Sequence, residues 1–258
     1  SGNSAIYKST DAGNSWSELT DGLDIKENVN RIELAVTPDN PQVIYALASD
    51  ADSNGFLGVY RSNNSGDNWS LVYDNSSVNL LGWDSSGMDE GGQGWYDLAL
   101  AASPDDADIV YAGGVNIWKS TDGGNSWNIN THWYGDQAAY VHADHHTLDY
   151  HPITHNLYSG NDGGLHRTSD GTNWTDISDG LQILQIYRFG NSATNNTRLV
   201  TGSQDNGTMR LNEGIWNAII GGDGMECLID YTAENTIYGE VYYGAIRRST
   251  NGGYDFTD

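Results

Sequence analysis

The chain of 258 residues carries 35 acidic and 11 basic side chains, which gives a formal net charge of −24. This excess of acid argues against a nucleic-acid partner, because binding to phosphates requires a basic surface. The sequence has no run of eighteen apolar residues, so it predicts no membrane-spanning helix. A single cysteine, Cys227, excludes an internal disulfide.

The pattern Ser-x-Asp-x-Gly-x-x-Trp recurs along the chain, at residues 9–16, 62–69 and 120–127, with a shortened copy at 168–174 and an altered one at 249–256. Each copy of the signature follows a short apolar run, and most copies are followed by a second apolar run. This order is typical of a β-hairpin with a long polar turn. We expect the Asp to accept hydrogen bonds from the turn and the Trp to bury its ring. The residues interpreted as structural on this ground are Asp11, Trp16, Trp69, Asp122, Trp127, Asp170 and Trp174.

Two further strands joined by a polar turn precede most copies of the signature. Each unit therefore contains strands A, B, C and D, with the signature turn between C and D. A unit of four antiparallel strands that recurs about every 40–60 residues is the sequence pattern of β-propeller blades. In chain order, the predicted blades are residues 1–24 (partial), 25–75, 95–132, 140–180, 183–220 and 223–258 (partial), with residues 76–94 as an exposed inserted loop.

The signature resembles the Asp-box, or BNR, repeat of β-propellers in sialidases, xyloglucanase-type glycoside hydrolases and sortilin-like domains. Five polar strings strengthen the resemblance to secreted bacterial propellers of the xyloglucanase-like or sortilin-like type: Gly94–Asp97, Val141–His146, Asn161–Gly164, Gln204–Gly207 and Gly222–Gly224. The resemblance implies an all-β propeller of four-stranded blades and an extracellular location. Because the first and last predicted blades are partial, we expect the chain to be an incomplete part of a larger propeller in a multidomain protein.

In a propeller, the starts of strands A and the ends of strands B lie on one face, and the signature turns lie on the opposite face. The five polar strings therefore converge on one axial mouth, as in a binding site made of loops on a rigid scaffold. The candidate ligand-binding residues are Trp95, Tyr96, Trp133, His142, His145, Asn161, Gln204 and Asn206.

A divalent cation is one alternative for the acidic and histidine residues of this mouth. In an extended strand, His142, Asp144 and His146 share a face and offer ligands for zinc or a similar ion, while His145 points away. A hydrogen-bonded cluster of histidines and carboxylates without an ion is the favoured alternative. Calcium bound by Asp162, Asp205 and Asp223 is a third.

Hydrolysis of a polysaccharide needs two carboxyl groups separated by about 5–10 Å. The candidates are Asp97, Asp144, Asp162, Asp205 and Asp223, and the sequence singles out no pair. Sialidase chemistry is disfavoured because it requires a cluster of arginines. We predict a secreted module that binds an extracellular glycan or protein at its axial face. A glycoside hydrolase of the xyloglucanase-like type and a structural or adhesive propeller of a cell-surface protein stay open as alternatives.

Overall fold

The computed structural model describes residues 4–23, 28–76, 78–181 and 183–257, so the predicted blade starts at residues 1 and 25 lie outside the described part. The described residues contain β-strands, one short 3₁₀ turn at Tyr242–Gly244 and no α-helix. Within these ranges, no helix is long and apolar enough to cross a membrane. The chain divides into two compact units, Ser1–Asp179 and Gly180–Asp258.

The described residues of the first unit form fifteen strands: β1 (Tyr7–Lys8), β2 (Ser17–Glu18), β3 (Val29–Val36), β4 (Ile44–Asp50), β5 (Phe56–Ser62), β6 (Ser70–Asp74), β7 (Ala99–Ala102), β8 (Val110–Gly113), β9 (Ile117–Ser120), β10 (Asn128–His132), β11 (Ala139–Tyr140), β12 (His145–Tyr150), β13 (Leu157–Asn161), β14 (Gly164–Thr168) and β15 (Trp174–Asp176). They form a two-stranded sheet β1-β2, two four-stranded sheets β3-β4-β5-β6 and β12-β13-β14-β15, and a five-stranded sheet.

The four-stranded sheets have the order and the antiparallel pairing expected of blades. In the first of them, Ala46 of β4 pairs with Leu34 of β3 on one side and with Tyr60 of β5 on the other. The strands β4 and β8 are buried almost throughout, because each is paired at both edges and its two faces are covered. The five-stranded sheet departs from the prediction, since β11 adds to β10 in parallel.

The signature turns at residues 62–69, 120–127 and 168–174 follow the third strand of a blade and lead into the fourth, whereas the copy at 9–16 joins β1 to β2. In the turn of residues 120–127, Asp122 Oδ1 accepts a hydrogen bond from the Ser126 N–H at 2.9 Å, and Oδ2 accepts one from the Ser126 hydroxyl at 2.6 Å. The Trp127 indole N–H donates to the Gly124 carbonyl at 3.0 Å. In the first copy, hydrogen bonds from the Ser15 hydroxyl and N–H, and then from the Ser9 hydroxyl, lower the pKa of Asp11 to about 2.

The tryptophans of successive turns pack on the preceding sheet. Trp69 belongs to a buried cluster with Ile6 and Leu23 from the β1-β2 region, and Trp127 packs with Tyr45 of β4. Trp16 was expected to be buried in the same way, but its ring is 62% exposed. The reason is that β1-β2 is the first sheet of the described part, so no earlier described sheet covers this ring.

The described residues of the inserted segment 76–94 contain no strand, but the segment is not a simple exposed loop. Leu80 and Leu81 are buried in the main core. Asn79 Nδ2 donates to the Asp89 and Gly91 carbonyls at 3.0 and 2.7 Å, and Asp89 Oδ2 accepts from the Trp83 N–H at 2.6 Å. These bonds close the loop on itself, which explains how a segment rich in Gly, Ser and Asp is ordered.

The second unit contains β16 (Ile186–Asn191), β17 (Arg198–Ser203), β18 (Gly207–Asn212), β19 (Ile215–Ile220), β20 (Cys227–Ile229), β21 (Ile237–Val241) and β22 (Ala245–Ser249). The strands β16 to β19 form a four-stranded antiparallel sheet, and β20 to β22 form a three-stranded one. A tight two-residue turn joins β18 and β19, with positive φ at Glu213 and Gly214. This short turn replaces the signature turn that the sequence lacks here.

Candidate functional site

Three of the five predicted strings meet at one end of the strands in the first unit. The segment before β7, the segment before β12 and the β13-β14 turn supply these side chains. Gln93 Nε2 hydrogen-bonds Asp144, and the Tyr96 hydroxyl hydrogen-bonds Asp162. The segment before β7 therefore forms one polar cluster with two loops, through contacts between residues 51 and 66 positions apart in the sequence.

A buried carboxyl lies at the base of this cluster. Asp97 is 1% exposed, and its Oδ2 accepts a hydrogen bond from Gln93 Nε2 at 3.0 Å, while the same nitrogen donates to Asp144 Oδ1. Burial, opposed by the Gln93 hydrogen bond and assisted by the charge of Asp144, raises the pKa of Asp97 to about 8. Burial and then the charge of Asp162 raise the pKa of Asp144. Asp97 was a candidate catalytic residue, but its burial keeps it from touching a polymer in solution.

The neighbouring carboxylate, Asp162, is held from both sides. Its Oδ2 accepts from the Tyr96 hydroxyl at 2.7 Å, and its Oδ1 lies 2.7 Å from His146 Nε2. The Tyr96 and His146 rings meet edge to face at 4.8 Å, and Trp95, which is 60% exposed, packs beside Tyr96 with ring centroids 5.5 Å apart. An exposed aromatic ring thus borders a fixed carboxylate.

The other histidines and Asn161 of the cluster have structural contacts. His145 was expected to contact a ligand, but it is fully buried, and its Nδ1 lies 2.6 Å from the Ser159 hydroxyl. Burial, followed by the neighbouring histidines, lowers the pKa of His145 to about 3, so it is a neutral core residue. Asn161 Oδ1 accepts from the Gly163 N–H at 3.1 Å. A Cβ on Gly163 would overlap His142, so glycine lets this histidine pack on the turn.

The expected metal-binding face of His142, Asp144 and His146 does not form as predicted. The strand β12 begins only at His145, and Asp144 has a left-handed backbone with φ of +65°. The alternation of side chains on which the prediction depends is therefore broken at Asp144. Its carboxylate reaches Gln93, whereas His146 reaches Asp162. One carboxylate oxygen of Asp144 lies within 4.8 Å of one of Asp162.

A second aromatic group surrounds Trp133, which is 41% exposed. The Trp133 indole N–H donates to the Trp83 carbonyl at 3.2 Å, and its ring meets Tyr134 edge to face at 4.6 Å. The Trp83 ring lies next to Gly91, in the segment that leads to Gln93. The buried Asn116 side chain donates to the Gly82 and Trp83 carbonyls and fixes this loop.

The two remaining strings lie in the second unit and contact each other. The Asp205 N–H donates to Asp223 Oδ1 at 2.7 Å, and the Asp223 N–H donates to the Tyr242 hydroxyl at 3.0 Å. Gln204 Oε1 accepts from the Tyr187 hydroxyl at 2.9 Å. Asn206 Nδ2 donates to the Gln204 carbonyl at 3.0 Å.

Several residues of these clusters were not predicted from the sequence. Gln93 joins Asp97 to Asp144, but it sits in a glycine-rich loop where no repeat marks it. Ser159 and Asn116 are fully buried polar residues that position His145 and Trp133. Their position just before or after a strand B end is the only signal that a sequence analysis offers for them.

Comparison with solved structures identifies the fold. Over 99% of its length, the chain is similar to the crystal structure of a GH74 enzyme from Niastella koreensis, with a TM-score of 0.51 and 18% identity, and it covers 42% of that chain. The chain has a β-propeller fold. It therefore spans less than half the length of this neighbour. No protein-family model and no curated protein sequence matches it.

Two other structures align over most of the propeller with lower scores. The GH74 xyloglucanase from Xanthomonas campestris matches 97% of the chain with a TM-score of 0.48 and 15% identity, and 41% of that protein is covered. A structure described as YCF48 bound to D1 peptide matches 99% of the propeller with a TM-score of 0.44 and 13% identity, and 75% of that protein is covered.

Proposed function

We propose that this propeller is a carbohydrate-binding module that works outside a bacterial cell. The observation that carries the proposal is the exposed Trp95 ring beside the hydrogen-bonded pair Tyr96 and Asp162. An aromatic face covers the C–H side of a sugar ring, and a fixed carboxylate accepts hydrogen bonds from sugar hydroxyls. A glycan needs both kinds of contact at one place.

Binding is favoured over turnover by the burial of Asp97. A general acid must come within about 3 Å of the atom that it protonates. Asp97 is 1% exposed, and the cluster holds it through Gln93 and Asp144. Its role in this proposal is to support the carboxylates above it.

Hydrolysis is the second candidate function, and the Asp144 and Asp162 pair favours it. One carboxylate oxygen of Asp144 lies within 4.8 Å of one of Asp162, so the two groups are near enough to act on one bond, as the carboxyl pair of a retaining glycosidase does at about 5–5.5 Å. The raised pKa of Asp144 suits a proton donor. In this alternative, Asp144 is the acid and Asp162 the nucleophile.

We further propose that the signature turns are Asp-box repeats and that the chain belongs with the secreted BNR-repeat propellers. The support is the use of both carboxylate oxygens of Asp122 within its turn and the burial of Trp69 and Trp127. A larger multidomain parent with an adhesive role is the third possibility. It predicts that the chain binds no polysaccharide and that substitutions in the cluster are neutral.

The test is a polysaccharide array followed by calorimetry on the best ligand. The Trp95→Ala variant should lose affinity by at least tenfold, or about 1.4 kcal/mol, because its ring is lost as a stacking surface. The Trp16→Ala variant is the matched control, since Trp16 is also an exposed tryptophan but lies in a signature turn. Equal affinities of the two variants, or no ligand on the array, would refute the proposal.

Reducing-sugar release from the same ligand separates binding from hydrolysis. A binding module releases none above the background. A hydrolase releases reducing sugar, and its Asp144→Asn variant should hydrolyse the ligand at least about a hundredfold more slowly, because the general acid is removed.

A further inference from the structure

Three carboxyl groups are concentrated at the base of the cluster in the first unit. Asp144 and Asp162 bring carboxylate oxygens within 4.8 Å of each other, and the Asp97 carboxyl is in hydrogen-bond contact with that of Asp144. Like charges at this distance repel strongly away from bulk water. The arrangement is stable when a proton or a cation compensates the charge.

The buried end of the cluster supplies a second observation, which concerns one oxygen of Asp97. Asp97 is 1% exposed, and its Oδ1 has no hydrogen-bond partner among the residues that the structure describes. A buried carboxylate oxygen without a donor is costly, and native structures rarely leave one. It belongs to the carboxyl whose other oxygen, Oδ2, shares the Gln93 Nε2 donor with Asp144 Oδ1.

Both upper carboxylates are already oriented by other side chains. The Tyr96 hydroxyl and His146 Nε2 hold the two oxygens of Asp162, and Gln93 Nε2 holds Oδ1 of Asp144. A carboxylate oxygen has more than one acceptor position, so a hydrogen bond to it does not exclude an ion from the same oxygen. Hydrogen bonds of this kind orient the ligands of metal sites and adjust their affinity.

We propose that Asp144 and Asp162 bind a calcium-like divalent cation, with Asp97 beneath them and water completing the coordination. Oxygen ligands with open positions suit Ca²⁺, which takes about six to eight oxygens in flexible geometry. Zinc is disfavoured because the His146 nitrogen nearest to the pair is engaged by Asp162. The proposal does not rest on glycan binding, so a protein that binds calcium and no glycan supports one and refutes the other.

The experiment is a calorimetric titration of the chelator-treated 258-residue chain with CaCl₂ at constant ionic strength set by NaCl. We expect one site with a Kd of about 10⁻⁴ to 10⁻³ M, the range of weak extracellular calcium modules. Terbium should occupy the same site, and the nearby Tyr96 and Trp95 rings should sensitise its luminescence. Calcium should then displace it.

Four variants locate the ion. Asp144→Asn and Asp162→Asn should each raise the Kd at least tenfold, and Tyr96→Phe, which removes only a hydroxyl, should raise it about 10- to 100-fold, as for other groups that orient ligands. Asp149→Asn is the matched control, because it removes one exposed carboxylate from the same strand, β12. Its Kd should stay within about twofold of the unmodified chain, since a distant exposed charge is screened.

The proposal fails if calcium gives neither heat nor displacement of terbium. It also fails if Asp149→Asn weakens binding as much as Asp162→Asn, because the effect is then one of diffuse charge. A tighter response to zinc than to calcium would likewise refute it. If the two Asn variants are shown by circular dichroism to be unfolded, the Tyr96→Phe result and the terbium signal decide alone.

Discussion

At the scale of single residues, Asp97 is the group whose environment departs most from that of an ordinary surface carboxyl. Its pKa is raised from 3.8 to about 8, chiefly by burial. The folded chain therefore keeps a proton that the unfolded chain releases between about pH 4 and pH 8. In this window, the free energy of unfolding decreases as the pH rises, and it levels off above the folded pKa.

The Asp97→Asn variant should lose this dependence, because an amide of the same shape needs no proton. In chelator-containing buffer, we expect the variant to be more stable than the unmodified chain at pH 8 by about 1–3 kcal/mol, since each unit of pKa shift is worth about 1.4 kcal/mol. Urea unfolding at several pH values between about 5 and 8 measures the difference in unfolding free energy between the two chains. Two curves that stay parallel across the window would contradict it, and Asp149→Asn is the control for loss of one charge.

The residues of this cluster also show which parts of the candidate site can be predicted from the sequence. The polar strings were found because they flank predicted strands, and Tyr96, His146 and Asp162 do meet. The side-chain directions at His142 to Asp144 were wrong, because a positive φ at a non-glycine residue leaves no trace in a polarity pattern. Gln93 was missed for a related reason, since its role depends on contacts with residues distant in the chain.

At the scale of strands and turns, the repeat was sufficient to predict most of the sheets. The blade predicted over residues 25–75 contains, in its described part, the four strands β3, β4, β5 and β6. Periodicity carries this information because each blade solves the same packing problem. The parallel strand β11 and the buried leucines of the inserted loop lie outside the repeat, so no pattern predicted them.

The signature turns make a prediction about which tryptophans hold the sheets together. Trp127 is 6% exposed and packs in the main core, whereas Trp16 is 62% exposed. Replacing Trp127 by Ala should cost about 3–5 kcal/mol, because it leaves a cavity between sheets. Replacing Trp16 should cost less than about 1 kcal/mol, as for exposed sites. Urea unfolding of both variants measures the two losses in the free energy of unfolding. Equal losses would show that the ring stabilises its own turn and not the packing between sheets.

At the scale of the whole molecule, the net charge of −24 is the main electrostatic influence on stability. Ion pairs such as Arg61 with Asp108 and Lys8 with Asp67 use part of the small basic complement, and most carboxylates have no cationic partner available, since acids outnumber bases 35 to 11. Mutual repulsion of this excess destabilises a compact chain more than an expanded one. Salt should relieve the repulsion.

We expect the melting temperature to rise as NaCl increases from about 0.01 M to 0.5 M, because the screening length falls from about 30 Å to below 10 Å. Differential scanning fluorimetry in chelator measures the rise without contribution from a bound divalent ion. Tetramethylammonium chloride should act like NaCl, since screening depends on ionic strength and not on ion identity. A melting temperature that stays constant or falls with both salts would contradict this prediction. It would show that the carboxylates lie far enough apart for their mutual repulsion to be negligible.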